Sequence, residues 1–383
     1  MSDVATAPTG SAGIPPGGTA AHVYDYREGG AGDERTVRAN TEDLDALGLV
    51  PRMLRGVVRP DLRTTVVGGE LTAPLLVSPM GLQAMYHPGA EAVSAAAAAE
   101  LGLGFCLSAM SSADADTVRA AARPGLLWRQ VYLLGEDRLT HQLIDDAERL
   151  GFSALVCTVD VPVLGRRSRD QHNGFDRFAA FPPALVSSPA FRELVAERGQ
   201  DPRAVLDSVF PNPACTWDDL AAVVRRTRLP VLVKGVLDPR DARRALEAGA
   251  AGIVASNHGG RQFDRSPSAV GALPGIRDAV ADEVPVYLDS GVRSGTHAAV
   301  ALALGASAVL VGRPVLRALA AGGRAGVVTA LRAVRDELSH VMTLVGAHRP
   351  EELRDVRVVG GQSWTPRSAT PSGSETKEAS DEC

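Results

Sequence analysis

"PVLVKGVLDPRDARRALEAGAAGIVASN", residues 230–257, decides the fold. Its opening, "PVLVKG" (230–235), is a short apolar run rich in valine and reads as a buried strand. "DARRALEAG" follows with helical composition and closes on glycine, as helices commonly do. "GIVASN" (252–257) is a second apolar run. A strand, a helix and a strand this close in sequence make a βαβ unit with parallel strands.

The same rhythm extends in both directions. Further candidate strands are "LLVSPM" (75–80), "GFCLS" (104–108), "LWRQVY" (127–132), "ALVCTVD" (154–160), "PVYLDS" (285–290) and "AVLVG" (308–312). Helical segments such as "AEAVSAAAAAEL" lie between them. Eight alternating units at this length predict an α/β protein with a closed (β/α)8 TIM barrel. A doubly wound open sheet is the competing architecture. It is disfavoured because no Gly-x-Gly-x-x-Gly follows the first strand.

The barrel is assigned to residues 21–360. Residues 1–20, rich in Pro, Gly, Ala and Ser, and the polar tail 361–383 are expected to be disordered. One gap breaks the rhythm: about 165–216, between the fourth and fifth strands, holds far more than one helix. It carries Phe175, Phe178 and Phe181 and follows a strand's C-terminal end, so it predicts a lid over the active site. A membrane-docking or oligomer-forming loop is the other reading of this insert.

The bulk composition narrows the class. The 383 residues are 45% hydrophobic with a net charge of −5, and no Lys/Arg block stands out, which argues against a nucleic-acid partner. The N-terminus lacks the basic and apolar regions of a signal peptide. The apolar stretch 298–312 is too short to span a bilayer and is interrupted by Gly305, so it reads as a helix, a stop and a strand. Cys106, Cys157, Cys215 and Cys383 have no metal-type spacing; the first two fall in apolar strands and read as core, in a reduced cytoplasmic chain.

In a barrel of this kind the C-terminal strand ends build the active site. Here they carry Gln130 and Tyr132 (third strand), Thr158 and Asp160 (fourth), Lys234 (fifth), Ser256, Asn257 and His258 (sixth), Asp289 (seventh) and Gly312 (eighth). Taken singly, each has a bland explanation. A loop histidine is more often structural than catalytic, a strand-end lysine often reaches for water, and His87 in "MYHPGAE" reads as a turn-former. Their convergence on one rim raises the functional reading. An aspartate fixes a histidine's tautomer and raises its basicity, as a general base requires. Arg166 and Arg167 after the fourth strand and Arg261 after the sixth reach the same rim, and two arginines can grip a carboxylate by paired charged hydrogen bonds. A fixed lysine can stabilise developing negative charge. "GVRSGT" and "VGRPV", after the seventh and eighth strands, supply backbone N–H groups with Arg293 and Arg313, the position and composition of a barrel phosphate site.

With those residues in place, the chain from about 22 to 357 resembles the family of FMN-dependent 2-hydroxy-acid oxidases and dehydrogenases, which includes glycolate oxidase, lactate oxidase and mandelate dehydrogenase. The resemblance is carried by "VYDYREGGAGDERTVRAN", "SPMGLQAMYHPGAE", "RQVYLL", "TVDVPVLGRRSRD", "LVKGV", "SNHGGRQFD", "LDSGVRSG" and "ALGASAVLVGRPV". It implies His258 as base with Asp160 as its partner. It implies Arg261, Arg167 and Tyr26 on the substrate carboxylate and Tyr132 on a substrate oxygen. Lys234 would sit beside the flavin. Pro79, Met80, Gly81, Ser108, Gln130, Thr158 and Ser256 would contact the FMN ring, Asp289 its ribityl chain, and Gly291, Arg293, Gly312 and Arg313 its phosphate. No metal is implied. The reaction implied is oxidation of an (S)-2-hydroxy acid to the 2-oxo acid, with electrons passed to oxygen, in a cytoplasmic homo-oligomer, a tetramer.

Several positions depart from the pattern. Gly81 replaces the alanine usual in the oxidases, which opens the alternative of a quinone or protein acceptor. Ser290 stands where glycine is common. Met110 replaces the tryptophan of small-acid oxidases, and its flexible side chain leaves room for a bulky group. With "QHNGF" (171–175), it points to an aryl acid of mandelate or 4-hydroxymandelate type; a small aliphatic acid such as lactate or glycolate is the alternative. The Pro/Gly-rich start replaces a helix and predicts a less covered barrel bottom. A flavin barrel used for a non-oxidative task is the remaining reading.

Overall fold

A computed structural model describes residues 20–360. The terminal stretches expected to be disordered, apart from Ala20, lie outside the described residues. Eight parallel strands close into a barrel in sequence order: β1 (Leu75–Val77), β2 (Gly104–Leu107), β3 (Leu127–Val131), β4 (Ala154–Thr158), β5 (Val231–Val236), β6 (Gly252–Ala255), β7 (Val286–Asp289) and β8 (Ala308–Val311). The pairing of β8 with β1, Leu310 against Leu76, seals the ring and rules out the open sheet. Seven of the eight strands fall within the runs read from the sequence, and β5 exceeds its run by one residue, Val236. The stretch 298–312 resolves into the helix Gly295–Ala303 and β8, divided at Gly305.

The strand alternation sorts side chains into two cores. Leu76, Cys106, Trp128, Val156, Leu232, Val254, Tyr287 and Leu310 point inward and fill the barrel. Their neighbours, among them Val77, Leu107, Leu155, Cys157 and Val233, face the surrounding helices. Cys106 and Cys157 are thus both core residues, one inside the barrel and one outside it.

The barrel bottom is closed, contrary to the sequence expectation. An antiparallel hairpin, Thr64–Val66 with Gly69–Leu71, plugs it with Val66 and Leu71. The hairpin's Val67 accepts a hydrogen bond from Trp128 Nε1 at 2.9 Å and donates its N–H to the Tyr287 hydroxyl at 3.0 Å.

The insert after β4 is a packed helical layer. It contains Ser168–Asn173, Arg177–Ala180, Pro189–Arg198 and Pro202–Val209, and it ends at Thr216, the N-cap of the helix Trp217–Arg226 that returns to β5. Phe191, Leu194, Val205, Leu206 and Val209 anchor it in the main core. It clasps the first helix, Ala21–Glu28, through Arg169, which pairs with Asp25 at 3.5 Å and Glu34 at 2.6 Å. That clasp brings Tyr26 and the insert to the same mouth of the barrel.

Candidate active site

The polar rim follows from the same period of two that fills the barrel. Two residues beyond seven of the eight inward apolar side chains comes an inward polar one: Leu76 to Ser78, Cys106 to Ser108, Trp128 to Gln130 to Tyr132, Val156 to Thr158 to Asp160, Leu232 to Lys234, Val254 to Ser256, and Tyr287 to Asp289; Leu310 leads instead to Gly312. These groups surround a cleft that opens at the C-terminal mouth of the barrel. The insert roofs it with Leu164, Arg167, Arg177, Phe178 and Phe210.

His258 stands at the cleft wall just after β6. Its Nδ1 lies 3.0 Å from Asp160 Oδ1, and its Nε2 makes no hydrogen bond with the described residues. The imidazole side chain is 23% exposed, against 12% for Asp160. Burial pulls the imidazole below its usual pKa, while Asp160 pushes the other way. The ring is therefore neutral near pH 7, with Nε2 as the free base. Asp160 reaches this position because β5 bulges after Lys234. Gly235 there has φ +108, and a Cβ on it would fall 2.6 Å from the Asp160 Cβ. Only glycine allows that approach.

Lys234 forms a buried ion pair with Asp289 at 2.9 Å. Burial alone would drive the ammonium toward neutrality, but Asp289 and Asp160 hold its pKa up. The Asp289 carboxyl is likewise raised by burial yet held at about 2 by Lys234, Ser256 and Ser78. Both are charged in the folded chain. Asp289 accepts from Ser78 on one oxygen and from Ser256 at 2.7 Å on the other.

Across the cleft, three guanidinium groups converge on the Tyr26 ring: Arg261 at 4.7 Å, Arg167 at 5.7 Å and Arg177 at 5.9 Å. Burial would raise the Tyr26 phenol, but the arginines outweigh it and bring its pKa below the usual value. Burial and the neighbouring Arg261 lower Arg167 to about 10. Neither Arg167 nor Arg261 is in an ion pair among the described residues. Their contacts are carbonyls and one amide: Arg261 donates to Tyr26 O and Gly29 O, and Arg167 to Arg261 O and Gln262 Oε1. A buried cation, Arg167, and a half-buried one, Arg261, stand together without a carboxylate, an arrangement that can receive an anion.

A second cationic pair lies at the β7–β8 end. Arg293 and Arg313 line the cleft beside Gly291 and Gly312. Neither has an ion-pair partner among the described residues, and burial with Arg261 and Arg293 nearby lowers Arg313 to about 9. Arg313 donates to the carbonyls of Arg27, Gly29 and Gly259.

Tyr26, Pro79, Met80, Gly81, Ser108, Met110, Tyr132, Arg167, Lys234, His258, Arg261, Asp289, Gly291, Arg293, Gly312 and Arg313 all line the cleft. Gln130, Thr158, Ser256 and Asp160 stand just behind its surface. Gln130 has both amide atoms engaged, accepting from Ala109 N at 2.8 Å and donating to Val131 O at 2.9 Å, so it shapes the loop after β2. His87 accepts from Gly89 N and forms a turn. Sequence reading passed over Ser78, Tyr86, Arg177, Phe210 and Gln262. Ser78 was available from the alternation alone. Tyr86, whose buried hydroxyl has no partner, and Arg177 reach the cleft only through tertiary folding.

A closed parallel barrel with a neutral histidine–aspartate pair and two groups of arginines outside any ion pair at its C-terminal mouth has the make-up of a barrel enzyme that binds anionic ligands there. Residues 18–359 match the family model of FMN-dependent dehydrogenases, and the chain belongs to that family. It is similar to the L-lactate oxidase of Nostoc sp., 40% identical over 338 residues, covering 86% of this chain and 92% of the relative. It is also 40% identical over 327 residues to glycolate oxidase 1 of Oryza sativa subsp. indica, covering 85% and 87%. Among solved structures, a mandelate oxidase variant with (S)-mandelic acid superposes with a TM-score of 0.77 at 35% identity, covering 89% of this chain and 94% of the other.

FMN is the cofactor of this family, and the site fits it. Thr158 Oγ1 is a buried donor with no protein partner, which is costly unless a ligand accepts from it. Arg293 and Arg313 are cations awaiting an anion at the position where barrels hold phosphate.

Proposed function

We propose that the chain oxidises an aryl (S)-2-hydroxy acid, of mandelate or 4-hydroxymandelate type, to the 2-oxo acid and passes the electrons to oxygen. One observation carries this reading: the neutral His258–Asp160 pair faces Arg167, Arg261 and Tyr26 across a single cleft. A 2-hydroxy acid presents a carboxylate and a hydroxyl on adjacent carbons, and this arrangement supports a reading in which the arginines take the first and the histidine the second.

In this reading Arg167 and Arg261 grip the carboxylate, with the Tyr26 hydroxyl beside them. His258 Nε2 takes the proton of the 2-hydroxyl, and Asp160 stabilises the imidazolium that results. The Tyr132 phenol, whose pKa burial and Asp160 push up, stays protonated and donates to a substrate oxygen. Bound FMN would supply the acceptor for the two electrons and the hydrogen of the substrate Cα–H bond, which breaks as the hydroxyl proton passes to His258. Gly291, Arg293, Gly312 and Arg313 would hold its phosphate, and Ser108, Met80, Gly81 and Thr158 would flank its ring. Lys234, kept charged by Asp289, would stabilise negative charge at the ring edge. The insert, through Phe178 and Phe210 over the mouth, would limit the access of water to the reacting groups.

The aryl preference is supported by the apolar wall formed by Met110, Val161, Leu164, Phe178 and Phe210. A second reading, a quinone or protein acceptor, is favoured by Gly81. A Cβ there would meet the Met110 carbonyl oxygen at 2.4 Å, so the alanine of the oxidases does not fit without a shift. No helix of the described residues is long and apolar enough to cross a membrane. A cytoplasmic homotetramer is the assembly we propose. Exposed Met53, Leu54, Val58 and Leu344 give it apolar surface to bury.

The test is anaerobic flavin bleaching with glycolate, lactate, (S)-mandelate and (S)-4-hydroxymandelate. The aryl acids should reduce the flavin fastest. Bleaching by the aliphatic acids alone would refute the aryl assignment, and bleaching by none would refute the reaction. Readmitting air should then yield peroxide rapidly; slow reoxidation in air with fast reoxidation by a quinone would select the second reading.

A further inference from the structure

The turn that carries His258 is left-handed at three successive residues: His258 at φ +58, Gly259 at +68 and Gly260 at +76. Such a turn turns its N–H groups away from any regular partner, yet each is satisfied. Ser256 Oγ accepts from His258 N at 3.0 Å, Asn257 Oδ1 from Gly260 N at 3.0 Å, and Ser290 Oγ from Gly259 N at 2.9 Å. The first two partners are local, from the same segment. Ser290 alone reaches over from the neighbouring strand end, beyond β7.

Ser290 is itself in an unfavourable conformation, with φ +86. Glycine would adopt it freely, whereas a serine keeps such a conformation only where its surroundings over-determine it. Here the surroundings do. Its hydroxyl is buried and donates to Asp289 Oδ2 at 3.4 Å, within 3.5 Å of Ser256 Oγ. Its lone pairs are thereby turned to the Gly259 N–H. On the other side of the same residue, the Gly259 carbonyl accepts from Arg313 at 3.0 Å. Gly259 is pinned from both ends, by the Asp289–Lys234 cluster and by Arg313.

We propose that Ser290 is a positioning residue for the base: its hydroxyl clamps Gly259 and so ties the His258 turn to the buried Asp289–Lys234 pair. The proposal rests on His258 being the base. The charged groups facing that imidazole are Asp160 from β4, Lys234 from β5 and Arg167 from the insert. Of these, Asp160 makes the directional contact, and the clamp keeps the ring on it.

The test uses the holoenzyme with Ser290→Ala and Ser290→Gly. Both remove the hydroxyl, and Ser290→Gly also relieves the backbone, so it folds even where Ser290→Ala does not. Both should lower the rate of anaerobic flavin reduction roughly fivefold, the scale of one neutral hydrogen bond. KM should change less, because Arg167, Arg261 and Tyr26 are untouched. The acidic limb of kcat/KM should move to lower pH as Asp160 loses its hold on the ring. Ser290→Gly should melt at or above the wild-type temperature, so the rate loss is not a loss of stability. Wild-type rate and an unmoved acidic limb in Ser290→Gly would overturn the proposal. His258→Ala run in parallel separates the two claims. If it abolishes reduction while Ser290→Gly is normal, only the clamp falls; if it reduces flavin normally, both fall.

Discussion

Replacing Asp160 with asparagine removes one charge and leaves the shape almost unchanged. The carboxylate lies 3.0 Å from His258 Nδ1, is 12% exposed, and leaves its second oxygen without a partner. Its effect on catalysis therefore runs through the imidazole. When Nε2 takes a proton, Nδ1–H and Asp160 become a charge-assisted pair in a site shielded from water, worth roughly 1.5–3 kcal/mol. At 1.36 kcal/mol per tenfold, kcat should fall roughly tenfold to 150-fold. The pH profile gives a second, independent sign. The active form is the neutral imidazole, so activity is lost as pH falls through the His258 pKa. That pKa already lies below the usual value of about 6.5 because of burial. Asp160 is what opposes the burial, so Asp160→Asn should move the acidic limb lower still. Stopped-flow flavin reduction from about pH 5 to 8 measures both effects. Full kcat with an unmoved limb would refute the pairing of Asp160 with the base.

Met110→Trp fills the apolar side of the cleft. Overpacking of this kind commonly costs about 1–3 kcal/mol, so KM for (S)-mandelate should rise roughly tenfold while KM for glycolate changes little. Thr158→Val removes a buried hydroxyl that has no protein partner. The apoprotein should melt at or above the wild-type temperature, and FMN titration should show weaker binding. Asp289→Asn leaves the Lys234 ammonium buried without its counter-ion; breaking such a pair costs about 3–5 kcal/mol, read as a lower melting temperature and lost FMN. In wild-type protein Asp289 is held at about 2, below its unfolded value near 3.9. Its contribution is therefore complete above about pH 4 and is lost as pH falls through about 2. Acid melting curves of wild type and Asp289→Asn should converge over that interval.

The barrel was legible because each strand is a short apolar run ended by glycine or a polar residue, and the inward column of each strand can be counted in twos. That count places Tyr132, Asp160, Lys234 and Asp289 on one rim without coordinates. It also reaches Ser78, which went unread because its segment "SPMG" was taken only for flavin-ring contact through its later residues. Arg177 and Phe210 could not be placed this way. They come from the insert, whose helices have no fixed phase relative to the barrel; its apolar anchor in the main core and the Arg169 clasp on Asp25 and Glu34 together set them over the mouth. The hairpin at 64–71 was missed for a related reason: two three-residue strands are too short for periodicity, and their partners, Trp128 and Tyr287, are distant in sequence. Ser290 was noted as a departure from glycine, but its use to clamp Gly259 depends on a contact between strands that no spacing reveals.

The central claim is that His258 removes the hydroxyl proton of a 2-hydroxy acid. His258→Ala, purified with FMN bound and mixed anaerobically with (S)-mandelate, measures it most directly. The account predicts a yellow protein whose flavin spectrum stays oxidised under conditions that bleach the wild type. Bleaching of the variant at the wild-type rate would contradict it.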